Sequence, residues 1–218
     1  MTRILYLKAS PNRQHSRSDR VARAFIETIA SELPSVELDT IDVWDLALPE
    51  FDEAMLEAKF AVLRRQDATA EQQRRWSEAV RISQRFNRAD LYVFSIPMWN
   101  FGIPYRLKHF IDIVTLPGEN WNWSREHGYQ ALLSNKQAVL VASSANVHDD
   151  EVPPGFARDD FQRPYIRRWL KFIGIDVVKE IRVSPTLTDP EEVKRIEAQA
   201  EDQGRDFARF FAQEVCCA

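Results

Sequence analysis

Glycine is scarce in this chain, with six among 218 residues and none before Gly102. That shortage excludes the G-x-G-x-x-G turn that a dinucleotide-binding sheet carries after its first strand, where this chain reads Lys8-Ala9-Ser10-Pro11-Asn12-Arg13. No Walker sequence is present, so a triphosphate cradle is not expected. Cysteine is confined to Cys216 and Cys217, adjacent and near the end, where they cannot staple a core. No Cys/His set has metal-site spacing, so no metal is expected. The longest apolar runs, such as Ile4-Leu5-Tyr6-Leu7, are far too short to span a bilayer. Met1-Thr2-Arg3-Ile4 runs straight into a strand-like segment, which speaks against a signal peptide. These absences point to a reducing, cytoplasmic setting. A net charge of −4 and a pI near 5.7 give no support for nucleic-acid or anionic-membrane binding.

What the chain does contain is an alternation of short buried strands with longer helical patterns. Its 44% hydrophobic and 28% charged content suits one globular domain spanning residues 1–218. Strands are expected at 3–7, 36–43, 91–96, 137–143 and 177–183. Helices are expected at 18–33, ended by Pro34, at 105–114, and at 161–174 with a glycine stop. A charged helical stretch over 51–87 should break near Asp67-Ala68-Thr69, where Thr69 and Gln72 fit a capping box. Asp189-Pro190-Glu191-Glu192 opens the last helix. Five strands with intervening helices fit a doubly wound, flavodoxin-like α/β fold: a parallel sheet of order 2-1-3-4-5 with helices on both faces.

In such a sheet, ligands sit beyond the carboxyl ends of the strands where the order reverses. Three loops fall there. The first holds Ser10 and ends in Ser16-Arg17-Ser18 at a helix start, a setting for an anion in which hydroxyls surround a monophosphate. Ser18 acting only as a helix cap is the competing explanation. The second loop, Pro97-Met98-Trp99-Asn100-Phe101-Gly102, carries residues that a plain turn does not need. Apolar rings and backbone N–H groups together suit a flat aromatic ligand, which we read as a flavin; core packing of Trp99 and Phe101 is the alternative. The third loop, Ser143-Ser144-Ala145-Asn146-Val147-His148, is built of small residues and ends in a histidine able to orient a substrate oxygen or supply a proton.

These residues resemble those of the FMN-dependent NADH:quinone oxidoreductases of the azoreductase type. The resemblance is carried by Lys8-Ala9-Ser10, Ser16-Arg17-Ser18, Pro97-Met98-Trp99-Asn100-Phe101 and Phe172-Ile173-Gly174-Ile175. It implies that Ser10 and Ser16 to Ser18 hold the FMN phosphate, that Pro97 to Phe101 line the isoalloxazine, and that Ser143, Ser144, Ala145 and Asn146 approach its pyrimidine end. It further implies a homodimer with FMN near the interface, and the region around Trp121 and Trp123 as an aromatic cover, with interface packing as the competing role. Trp169 is added as a candidate for stacking on substrate. Where the family usually has two glycines, this chain has Ala145-Asn146, and 148–154 is a candidate lid.

The expected chemistry is a ping-pong hydride exchange: NADH or NADPH gives two electrons to FMN, then a quinone or, by the same likeness, an azo compound takes them. Asn100 and His148 are the expected helpers. Arg158, Arg163 and Arg167 are placed to meet a 2′-phosphate or to form a solvated helical face. The alternatives are a specialised flavoenzyme acting on one biosynthetic intermediate and a flavodoxin-type electron carrier.

Overall fold

The structure, a computed structural model, describes residues 1–33, 35–64, 68–148 and 159–217. The expectations placed on Pro34, Asp67, Asp149 to Pro154 and Arg158 lie outside the described residues. Thirteen elements follow one another: β1 (Thr2–Lys8), α1 (Arg17–Glu32), β2 (Val36–Asp42), α2 (Glu53–Leu63), α3 (Ala70–Asn87), β3 (Leu91–Pro97), α4 (Tyr105–Val114), β4 (Trp121–Ser124), β5 (Gly128–Ala131), β6 (Lys136–Ser143), α5 (Arg163–Ile173), β7 (Ile175–Val183) and α6 (Pro190–Cys217). No helix among the described residues is long and apolar enough to cross a membrane.

The main sheet is parallel throughout, in the order β2-β1-β3-β6-β7. Counting only these strands, that is the order 2-1-3-4-5. Successive side chains of a strand face opposite sides, so a sheet covered twice needs apolar residues at every position. β3 meets this demand, with Leu91 and Val93 on the α1/α6 side and Tyr92 and Phe94 on the α3/α4/α5 side, all buried.

Local signals set the helix ends. Thr69 and Gln72 form the capping box, with bonds of 2.9 and 3.2 Å between each side chain and the other's backbone N–H. Gly174 stops α5 at φ 93°, a left-handed position where a Cβ would lie 2.0 Å from the Leu133 carbonyl oxygen. Asp189 accepts from the Glu191 and Glu192 N–H groups at the start of α6.

Two expectations are corrected. The cap of α1 is Ser16 rather than Ser18, because the Ser16 hydroxyl accepts from the Asp19 N–H at 3.3 Å. The region around Trp121 and Trp123 is an antiparallel hairpin, β4 with β5, which packs on α5.

Candidate active site

The strand register brings three loops to one edge. Lys8 pairs with Ser95 and Pro97 with Ser143, so β1, β3 and β6 end side by side. The Ala9 N–H donates to Ser95 O at 3.0 Å and the Met98 N–H to Ser143 O at 2.7 Å, which extends the pairing into the loops. Beyond these ends lies a cavity of about 300 Å³. Its walls include Ser10, Ser16 and Arg17 from the first loop, Pro97, Met98 and Trp99 from the second, and Ser143, Ser144 and Ala145 from the third. Nine of the sequence-predicted residues thus meet around one space.

The first wall suits an anion. Ser10 and Ser16 are buried hydroxyls, and the opening N–H groups of α1 have no intrahelical acceptors. Arg17 is held by the buried carboxylate of Glu197, which also takes Arg20. Ser18 is fully buried with its hydroxyl 3.5 Å from that of Ser16; it does not line the cavity, and only its backbone is placed for a ligand. Behind this wall Asp19, 1% exposed, accepts from the Tyr6 hydroxyl and lies 3.5 Å from the Lys8 ammonium and 3.2 Å from Arg23. Burial, and then the bond to Asp19, pushes the Tyr6 hydroxyl far above its ordinary pKa. It is a fixed donor.

The second wall is a strained turn. Trp99 and Gly102 exchange both backbone hydrogen bonds at 2.9 Å, and the residues between them, Asn100 and Phe101, have φ of 47° and 67°. Two positive φ values in succession define the tight hairpin that favours Asn-Gly. Asn tolerates this conformation; Phe pays about 1–2 kcal/mol for it. Strain of this kind persists only where surroundings enforce it. Here Trp99 packs on Trp44 at 5.7 Å, and the Trp44 indole N–H donates to Ala9 O at 3.0 Å, tying the second loop to the first.

The remaining predicted residues are dispersed. Asn100 faces a separate open cleft of about 670 Å³, shared with Phe51, Tyr105 and His109. Phe101 is 52% exposed and, like Asn146, lies outside the 300 Å³ cavity. His148 is 8% exposed, edge-on to Phe101 at 6.4 Å; it lines a space of about 10 Å³ with Met98 and Gln162 rather than the main cavity. Trp121 is buried against Tyr129 and Phe172, whereas Trp123 points outward. Trp169 is a correction. It is a core residue, 6% exposed, packed on Phe86 and Phe94 with its N–H bonded to the Thr115 hydroxyl at 2.9 Å. Arg163 pairs with Asp160, and Arg167 with Glu180.

Three lining residues were not anticipated: Asn12, His15 and Thr186. Asn12 and His15 sit between Ser10 and Ser16, so membership of that loop was the available signal. Thr186 follows β7, whose carboxyl end also opens on this edge.

Hydroxyls and free helix N–H groups at one wall, and a strained aromatic turn at the next, fit a flat ring system carrying a monophosphate. The comparisons agree. A family model described as "Flavodoxin-like fold" matches residues 2–206. The chain is 42% identical over 210 residues to an FMN-dependent NADH:quinone oxidoreductase of Desulfotalea psychrophila, covering 96% of this chain and 97% of that one. Its fold is similar to that of an azoreductase from Bacillus anthracis strain Sterne, with a TM-score of 0.85, 22% identity, and coverage of 96% and 99% of the two chains. A second structure, an FMN-dependent NADH-azoreductase from the Ames Ancestor strain in complex with FMN, gives 0.81 at 24% identity, with 95% and 100% covered. With this fold, this edge and this identity over almost its whole length, the chain belongs to the FMN-dependent NADH:quinone oxidoreductase family.

Proposed function

We propose that this enzyme uses NADH to reduce quinones, and azo compounds by the same route, two electrons at a time. The observation that carries the reading is the convergence of the three loops on one cavity. FMN, when bound, supplies the hydride chemistry. Ser10, Ser16 and the first N–H groups of α1 hold its phosphate, while Met98 and Trp99 lie along the ring. Asn100 and His148 act at the rim, Asn100 from the turn itself and His148 through its packing on Phe101. Donor and acceptor use the same open face in succession, so initial-rate plots at several quinone concentrations are parallel.

Arg163 and Arg167 are engaged by carboxylates, which removes the described arginines that a 2′-phosphate would seek and supports NADH over NADPH. Trp99, Phe101 and Tyr105 expose large apolar surface at the mouth of the site. Such a patch supports a homodimer with the site beside the interface.

The test is an anaerobic spectrum of the purified protein with FMN. NADH should bleach the flavin bands and a quinone restore them. Bands that NADH leaves unchanged would overturn the reading.

A further inference from the structure

The third loop is fixed by the segment that follows β7. The Thr186 N–H donates to both Ser144 O and Ala145 O at 3.0 Å, and its hydroxyl donates again to Ser144 O at 3.1 Å. The Leu187 N–H adds a bond of 3.1 Å to Ala145 O, and the Ser144 N–H bonds Val183 O at 3.3 Å. In a trans peptide the C=O and N–H point in opposite directions. Fixing the carbonyls of Ser144 and Ala145 therefore fixes the N–H groups of Ala145 and Asn146, pointing away from Thr186. No acceptor among the described residues takes either N–H.

Two successive free N–H groups form a small electropositive edge, suited to an oxygen or a ring nitrogen that gains negative charge. We infer that Thr186 is a positioning residue for cofactor binding: it aims the Ala145 and Asn146 N–H groups at the polar edge of the flavin ring. The inference rests on the reading of this site as an FMN site. Its physical logic is compensation. A loop without glycine has less freedom to turn its amides toward a ligand, so an external hydroxyl does the turning.

The test compares Thr186→Val, which keeps the branched shape and loses the hydroxyl, with Thr186→Ser, which keeps the donor. One hydrogen bond in this role predicts about threefold or greater loss of flavin affinity in Thr186→Val. The loss should be the same for FMN and riboflavin, because the contact is to the ring, and the midpoint potential of bound FMN should move negative. Thr186→Ser should restore both. Thermal unfolding of the FMN-free proteins separates this outcome from a folding defect, which would leave the potential of bound FMN unmoved. Unchanged affinity and potential in Thr186→Val, or a loss seen for FMN but not riboflavin, would overturn the inference. Wild-type protein that binds neither flavin would overturn the FMN reading itself, and this inference with it.

Discussion

The Phe161 N–H donates to the Phe101 carbonyl at 2.9 Å, joining the segment before α5 to the strained turn after β3. A few residues on, the amide of Gln162, 2% exposed, donates to Ile96 O at 3.0 Å. Two neighbouring residues thus hold the turn from outside its own chain segment.

Gln162→Ala should therefore cost about 1–3 kcal/mol, the penalty for leaving a buried carbonyl without its donor. Urea unfolding measures that loss. Amide exchange at Met98 to Gly102 should quicken in the same variant. A stability loss without faster exchange would show that Gln162 serves packing alone.

Phe101 offers a test of the strain. Phe101→Gly removes the left-handed penalty and should unfold at or above the wild-type temperature, despite losing a ring. Phe101→Val, β-branched at positive φ, should unfold lower than both, by about 1–2 kcal/mol or more relative to wild type.

At the anion wall, the two serines separate by position. Ser10→Ala should weaken FMN about tenfold, since a hydrogen bond to a charged group contributes about 1.5–3 kcal/mol. Ser18→Ala should change FMN affinity little, because its hydroxyl is buried off the cavity. Fluorescence titration of the FMN-free variants distinguishes the two.

Trp169→Phe should destabilise the protein by about 1–2 kcal/mol through its lost bond to Thr115 and reduced packing. The KM for quinone should stay at the wild-type value. A raised KM with intact stability would return Trp169 to the substrate site.

Much of this architecture was legible because its signals are local and strong. The run from Leu91 to Ile96 needs burial on both faces, and Thr69 with Gln72 encodes its own helix start. The cavity was legible because strand ends of a doubly wound sheet meet at a known edge. The hairpin was not, since Trp121–Ser124 and Gly128–Ala131 are four residues each and mostly exposed. Trp169 misled because a tryptophan on a helix gives no sign of which side it faces until the helix is packed. Thr186 was hidden by distance: its partner Ser144 lies 42 residues earlier, and only the folded sheet sets them together.

Trp44 has one further consequence. Its indole is bonded to Ala9 and stacked near Trp99, so the span from helix start to aromatic turn is a fixed length. The pocket then works as a ruler. A ligand gains from both ends only when its charged tail and its ring system are separated by the right tether, so a bare ring or a bare phosphate finds half a welcome.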